Sequence, residues 1–405
     1  MNKNESKSKI KITNNNYLHI LLRGPDCPGI TAHVNKILAT HEIELIDVGQ
    51  SVTAGELCLS LVVKGNHPRE GDALKDLLYE AKKLGLQIDF RPTPAQELRS
   101  YAKNNNYLLS CVSPETLTAS FIGEATTLLA KNKINIKGIY NLSQEMEHLR
   151  RLEIETEHLS ESNITRLKEE IYSIGEKYGV DLAYLENNFF RYNKRLIVMD
   201  MDSTLVQAEI IDLLAEAHNV KKEVSHITEQ AMNGEIDFDE SLRQRVKMLE
   251  GLKVEKIWPI LDEVKLTDGV EEFVKKANSL GLKIAVISGG PSLFVNKIKE
   301  QLNLHFAMGN NFEVEHGHFT GRVTGRIVNA EEKAMLLELL AQQMQIKLDQ
   351  VMAVGDGAND IPMLLKAGLG VAFHAKRSVK AQAKHHINFG PMTHLFHFLG
   401  INHDS

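Results

Sequence analysis

The stretch Leu196-Ile197-Val198-Met199-Asp200-Met201-Asp202-Ser203-Thr204 runs an apolar segment of strand length straight into two carboxylates one residue apart. Ile284 to Ile287 and Val351 to Val354 repeat the apolar part, each followed by a turn rich in Asp, Gly or Ser and then by a helix-period segment. Strand alternating with helix is the signature of a parallel sheet, and ligands of such sheets sit at the carboxyl ends of the strands. Asp200 and Asp202 therefore fall where this architecture does its chemistry. Two close carboxylates repel unless a cation or a proton intervenes, which is why such pairs are used around Mg2+. A simple strand-end turn would use the same residues without chemistry.

Outward from this point, a long insertion from Val206 to about Val264 separates the first strand from the second. Its helix-period segments, Ile210 to Ala217 and Ser241 to Glu250 among them, predict a small helical cap over the strand ends. Phe312 to Val328 alternates, turns at His316-Gly317-His318 and alternates again, a β-hairpin signal. Upstream, Asn14-Asn15-Asn16-Tyr17-Leu18 recurs as Asn104-Asn105-Asn106-Tyr107-Leu108, and Leu38-Ala39 through Ile43 recurs loosely as Leu129-Ala130 through Ile134. Each copy reads as strand, turn, amphipathic helix (Ala32 to Thr40; Phe121 to Asn132) and strand. Two copies of one small α/β module are the simplest reading, a coincidence of asparagines the alternative. Polar stretches from Arg91 to Asn106 and from Glu186 to Arg195 mark boundaries, so the expected domains are 14–92, 105–187 and 192–405, with the cap at about 206–264.

The 405 residues exceed one typical core and suit two or three compact domains. A composition 43% hydrophobic and 25% charged is globular, and a net charge of -6 lacks the basic excess that nucleic acid or an anionic membrane surface requires. No stretch approaches the ~20 consecutive apolar residues of a membrane span, and the lysine-rich start from Met1 to Thr13 lacks the apolar run of a signal peptide. Cys27, Cys58 and Cys111 show no CxxC spacing, fit a reducing compartment and read as small buried hydrophobes. The expectation is a cytoplasmic chain with a small-molecule partner, no nucleic acid and no membrane. His385-His386 and the pair His394 and His397 could suggest a transition metal, but the carboxylate-rich site suits Mg2+, and surface histidines are commoner than ligands. His316 and His318, on the hairpin turn, are expected in solvent.

Asp200-Met201-Asp202-Ser203-Thr204, Ser288-Gly289-Gly290, Lys333 and Gly355-Asp356-Gly357-Ala358-Asn359-Asp360 match, in order, the four motifs of the haloacid dehalogenase superfamily, a resemblance covering about residues 194 to 390. It implies a Rossmann-like parallel sheet with a small helical cap and a phosphoryl-transfer site working by positioning and charge stabilisation. The resemblance makes Asp200 the nucleophile that forms an aspartyl phosphate, and Asp202 the general acid and base. It puts Mg2+ on the Asp200 side chain, the Asp202 backbone carbonyl and Asp356, with Asp360 orienting metal-bound water or Lys333 from behind. Lys333 and the Ser288 hydroxyl would hold phosphoryl oxygens, helped by amides near Gly289, and Asn359 would position the phosphate or Lys333. Ser203 and Thr204 suit a turn-stabilising role as well as direct catalysis.

Glu209, nine positions after Asp200, and Asp237-Phe238-Asp239-Glu240-Ser241-Leu242-Arg243-Gln244-Arg245-Val246 resemble the cap of the phosphoserine phosphatases. In that family the matching glutamate takes the substrate ammonium and the matching arginine, here Arg245, takes the carboxylate in a bidentate fork, while Met232 and Phe238 would close the pocket. The plainer reading, a solvated helix charge, stands for Arg243 and remains the alternative for Glu209 and Arg245. The resemblance implies Mg2+-dependent hydrolysis of O-phospho-L-serine in L-serine biosynthesis. The alternatives are phosphoryl transfer to another alcohol such as homoserine, or an amino-acid-sensing regulator with an inactive phosphatase half.

Asp26-Cys27-Pro28-Gly29-Ile30, within about residues 17 to 90, resembles the ACT family of amino-acid-binding regulatory domains, which are α+β ferredoxin-like modules. This implies an amino-acid effector near Asp26 and Gly29 and, by analogy, a homodimer. In the second copy the equivalent loop, Ser113-Pro114-Glu115-Thr116-Leu117, has lost the glycine and reads as a degenerate ACT-like module.

Overall fold

Along Glu56–Lys64, Leu57, Leu59, Leu61 and Val63 are all buried at every second position, the period of a strand with one face on a core. A computed structural model of the protein describes residues 16–64, 69–95, 107–143, 148–157 and 161–401. The lysine-rich start, the asparagines at 14–15 and 104–106 and the end of the polar link between the modules, residues 96–106, lie outside the described residues. The chain divides into two compact units, one ending at residue 103 and the other starting at residue 104.

In the first unit, β1 (Asn16–Pro25), α1 (Ile30–Thr40), β2 (Leu45–Thr53), β3 (Glu56–Lys64), α2 (Glu70–Lys83) and β4 (Gln87–Pro94) form an antiparallel sheet ordered β2-β3-β1-β4. Ile30, Val34 and Leu38 of α1 and Ala73, Leu77 and Ala81 of α2 pack on Ile20, Leu22, Leu59 and Leu61 of the sheet. Gly29 starts α1 at φ 102, a backbone region that costs glycine nothing and strains other residues.

The second unit opens with the same topology: β5 (Tyr107–Val112), α3 (Ala119–Lys131), β6 (Ile136–Asn141), β7 (Arg151–Thr156), α4 (Glu161–Tyr178) and β8 (Asp181–Glu186), ordered β6-β7-β5-β8. Here Thr118 replaces the glycine device, its Oγ1 accepting from the Phe121 amide at 3.2 Å as a helix cap. Every residue of β5 is buried, where a half-covered strand would alternate. The reason is the parallel-sheet domain on the other face: Ala183 and Leu185 of β8 belong to its core. Asp181, fully buried, accepts from the amides of Asn388, Phe389 and Gly390 at 2.5, 3.1 and 2.9 Å and faces His394 Nδ1 at 3.0 Å. Arg191 pairs with Glu153 and donates to the carbonyls of His397 and Phe398.

The parallel-sheet domain continues with β9 (Leu196–Met199) and the cap helices α5 (Ile210–Ala217), α6 (Lys221–Met232), α7 (Phe238–Lys247) and α8 (Ile257–Glu263). After them come α9 (Val270–Ser279), β10 (Lys283–Pro291), α10 (Ser292–Leu302), β11 (Phe306–Glu315), β12 (His318–Thr324), α11 (Ala330–Gln343), β13 (Val351–Gly355), α12 (Ile361–Lys366), β14 (Leu369–Phe373), α13 (Arg377–Lys380), β15 (His385–Ile387) and α14 (Leu395–Phe398). The sheet runs β12-β11-β10-β9-β13-β14-β15, parallel except for β12. Strand order reverses at β9, so Asp200 stands at the crevice where such sheets bind ligands. The cap hangs on a two-strand neck, in which the Gln207 amide donates to Lys265 O and the Thr267 amide to Leu205 O, both at 2.9 Å. The β11–β12 hairpin props it from the side through Gly251 N to Phe319 O at 2.8 Å and Val254 N to Gly317 O at 3.0 Å.

Two readings of single residues are corrected. Cys111 is buried, but Cys58 is half-buried and Cys27 exposed. His385, His386, His394 and His397 are all buried rather than on the surface, because the second module covers or braces the segment that carries them. No described helix is long and apolar enough to cross a membrane.

Asp181→Ala would leave the buried Gly390 amide and the partly buried amides of Asn388 and Phe389 without their acceptor, a loss on the order of 2 to 3 kcal/mol. The urea midpoint of the second unit should fall accordingly, whereas Asp89→Ala, which breaks the exposed Arg23–Asp89 pair of the first unit, should leave it nearly unchanged.

Candidate active site

Directly after β9 the Asp200 amide donates to Val354 O at 2.9 Å, extending the pairing with β13, while the residue as a whole is 4% exposed. The chain then winds around the Met201 carbonyl, which accepts from Thr204, Leu205 and Val206, with Ser203 forced to φ 55. This tight loop turns Asp202 back toward the strand ends. Its Oδ1 accepts from the Ile210 amide at the start of α5 at 2.8 Å, and its Oδ2 from Ser288 Oγ at 2.9 Å. Ser288 Oγ also accepts from the Gly290 amide at 2.8 Å. A Cβ on Gly290 would lie 3.1 Å from that hydroxyl, so the close approach favours glycine.

Lys333, fully buried on α11, places Nζ 2.7 Å from both Asp200 Oδ1 and Asp360 Oδ1. Asp360 Oδ2 accepts from the Gly357 amide at 3.0 Å, so both its oxygens are used. Asp356 Oδ1 accepts from Thr204 Oγ1 at 2.8 Å, which ties the first motif to the last. Oxygens of Asp200, Asp356 and Asp360 lie within 4.8 Å of one another, a set of hard donors that fits Mg2+.

The electrostatics point the same way. Burial, then Asp360, pushes the Asp200 carboxyl well above its usual range against the opposing pull of Lys333. Burial also raises Asp202, against the Ile210 amide and Ser288, and lifts Asp356 to about 6. Burial lowers Lys333, but Asp200 and Asp360 outweigh it and hold the ammonium above its ordinary value. Glu209 keeps a side open to solvent, yet burial and then Asp202 lift it to about 7. The carboxylates here outnumber the cations Lys333 and Arg245, and a divalent ion would restore the balance.

Over this floor sits the cap. Glu209 accepts from Ser203 Oγ at 3.0 Å. Arg245 of α7 is half-buried, its Nε donating to Ser241 O at 3.3 Å, and it feels the charges of Asp212, Glu209 and Asp202; Arg243 is exposed. Phe238 Cζ would stand 3.3 Å from a Cβ on Gly289. Asn359 is half-buried, and the side chain of Met232 lies outside the described residues. Asp26 and Gly29 belong to the exposed loop before α1, where the Asp26 amide donates to Gly55 O at 2.8 Å.

Two asparagines escaped the motif reading. Asn310, fully buried, donates to Gly289 O and accepts from the Val328 amide, both at 2.8 Å, fixing the second motif's loop. Asn329 caps α11 through the Glu332 amide and donates to Asp239 Oδ1 of the cap at 3.0 Å. The Asn329 to Glu332 spacing is a helix-start signal; the buried Asn310 had none.

Residues 194–368 match the haloacid dehalogenase-like hydrolase profile, and residues 16–91 match the ACT domain. A phosphoserine phosphatase of Streptomyces coelicolor is 35% identical over 398 residues, 96% of this chain and 93% of that protein. The chain belongs to the phosphoserine phosphatase family of haloacid dehalogenase-like hydrolases. A family member from Archaeoglobus fulgidus, also named phosphoserine phosphatase, is 46% identical over 222 residues, 55% of this chain and 64% of that protein. The unliganded crystal structure of a probable phosphoserine phosphatase from Vibrio cholerae aligns with a TM-score of 0.58 at 31% identity, over 73% of this chain and 87% of that one.

The raised carboxyls have a thermodynamic consequence. Asp356 moves from 3.8 to about 6 and Glu209 from 4.5 to about 7 on folding. The folded metal-free protein then holds more protons than the unfolded chain between those values, so its stability falls as pH rises through that window. A cation held by the ionised carboxylates opposes the loss. The rise in melting temperature on adding magnesium should therefore grow as pH climbs through about 6, and a magnesium shift that is absent throughout would reject the metal site.

Proposed function

We propose that the chain hydrolyses O-phospho-L-serine to L-serine and phosphate, as an Mg2+-dependent enzyme of L-serine biosynthesis acting in the reducing cytoplasm. The observation that carries this reading is the pair of opposite charges, Glu209 and Arg245, that the cap presents beside Asp200 and Asp202. A substrate with an ammonium and a carboxylate on one carbon matches that pair, and the names of the relatives agree. The three unpaired cysteines suit the compartment.

In this mechanism Asp200 attacks phosphorus, forming an aspartyl phosphate, as the P–O bond to the serine oxygen breaks. Asp202, its carboxyl raised by burial, delivers the proton to that oxygen and later takes one from the water that attacks the phosphoenzyme. Lys333, Ser288 and the loop at Gly289 hold the phosphoryl oxygens, with Asn359 beside them. Mg2+, held by the Asp200 side chain, the Asp202 backbone carbonyl and Asp356, would neutralise charge on the phosphoryl group, with Asp360 fixing Lys333 from behind. Phe238 would close the pocket from the cap. The intact set of Asp200, Asp202, Ser288, Lys333, Asp356 and Asp360 argues against an inactive regulator.

The first module would hold an amino-acid effector in the Asp26 to Ile30 loop, and the chain would form a homodimer. Edge strand β2, with Leu45, Ile46, Val48 and Val52 all exposed, supports self-association.

Asp200→Asn should abolish turnover, since an amide cannot act as the anionic nucleophile; near-normal activity would refute the covalent route. Arg245→Ala should cost on the order of 2 to 5 kcal/mol on phosphoserine, a fall of ~30-fold or more in kcat/KM, but far less on p-nitrophenyl phosphate, which has no carboxylate. Arg243→Ala is the control, and equal loss on both substrates would assign Arg245 to cap closure instead. If L-serine acts at the first module, Gly29→Val should remove its effect on rate while leaving the unregulated activity, and unchanged inhibition would place serine in the active site alone.

A further inference from the structure

At the amino ends of β9, β13 and β14, away from the chemistry, a cavity of about 330 Å³ lies between the second module and the catalytic sheet. Lys194 enters it two residues before β9, and Asp349 and Gly368 precede β13 and β14. Tyr184 and Glu186 of β8 and Lys168 of α4 form the facing wall, and Lys384 and His385 stand before and at the start of β15. Along the strand, Lys194 and Asp200 are six residues apart, roughly 20 Å if fully extended, too far for a group bound here to join the reaction.

The three lysines that line this cavity outnumber its carboxylates, Glu186 and Asp349, which offset part of the charge of Lys168 and Lys194. Lys168, Lys194 and Lys384 make no ion pair among the described residues. Lys194, 8% exposed, donates only to the backbone carbonyl of Asp349, at 2.7 Å. Glu186, the carboxylate nearest Lys168 in effect, already accepts from Tyr107 Oη at 3.2 Å and Asn188 Nδ2 at 2.9 Å. Arg191 is taken up by Glu153, Tyr192 and two carbonyls. Lys194 is buried, Lys168 half-buried and Lys384 exposed, so an excess cation gathered here is costly in proportion to its burial, and a cavity of this size is at the small end for organic ligands.

We propose that this cavity is a second ligand site, which takes a small dianion of the phosphate type between Lys168, Lys194 and Lys384. Tyr184 and Phe190 offer an apolar wall to any organic body attached to it. The titration of the lysines agrees: burial, then Lys384, lowers Lys168 to about 8, and burial lowers Lys194 to about 8. Burial and then Lys168 hold the His385 ring neutral, so it adds no charge of its own. A bound dianion would ease the repulsion and, by bridging α4 to the strand that follows Lys194, clamp the second module to the catalytic sheet.

The test is the acetylation rate of each lysine in the full chain, measured by peptide mass mapping under a limiting amine-reactive ester with inorganic phosphate as the probe. Phosphate should slow labelling of Lys168 saturably, about tenfold at ten times its dissociation constant, while the exposed Lys265 reacts as before. Sodium chloride at equal ionic strength should give no such protection. Lys384→Ala, at the mouth of the cavity and outside the catalytic machinery, should keep activity and weaken the protection. Equal protection by chloride, no protection at all, or undiminished protection in Lys384→Ala would each overturn the site, the last by showing that the effect arises elsewhere.

Discussion

The ammonium of Lys333, without solvent contact and 2.7 Å from both Asp200 and Asp360, is the interaction on which the catalytic centre depends. It joins three elements: the end of β9, the loop after β13 and the first turns of α11. A buried cation needs partners at close range, and removing either carboxylate would leave it uncompensated. The glycines around it follow from the same crowding. A Cβ on Gly355 would stand 2.5 Å from Asp360 Cγ, so the residue that ends β13 must be glycine for Asp360 to reach Lys333.

From this centre the constraint passes to the cap through Asp202 rather than through the Asp200, Asp356 and Asp360 cluster. Its two oxygens are divided between Ile210 at the start of α5 and Ser288 near the end of β10, so cap entry, the loop after β9 and the second motif share one carboxylate. Asp239 to Asn329 closes the opposite side of the cleft, and the neck at Leu205–Gln207 and Lys265–Thr267 holds the base of the cap. The hairpin adds backbone bonds at Gly251 and Val254 and an apolar contact through Phe312 and Phe319, so the cap is held from the neck, the rim and the side.

Much of this was legible in the sequence, because the motifs are local. Each apolar run and the turn after it are adjacent in the chain, so Asp200, Ser288 and Asp356 could be placed at strand ends before any contact was known. The insertion and hairpin were readable from their periods. Burial set by docking was not. Nothing near Cys27 or Cys58 says that their faces stay open, and the histidines from 385 to 397 are buried by a module more than 200 residues earlier, through contacts such as Tyr172 to Lys384 O. Asn310 escaped for a related reason: a polar residue at the end of a strand has meaning only once Gly289 O and the Val328 amide are known to flank it.

The two modules show how one fold diverges under different burial. The first keeps Gly29 at positive φ, an open loop and an edge strand whose nine residues are all exposed. The second replaces the glycine with a Thr118 cap, buries all of β5, and sets Asp181 at the head of β8 among three backbone amides of the catalytic domain. A carboxylate at that position in a free-standing module would have been solvated at no cost, whereas here it is itself fully buried and is the acceptor for three amides, that of Gly390 buried as well. The second copy is therefore a fixed part of the catalytic unit's core and polar framework. The first keeps an exposed loop and an exposed edge strand.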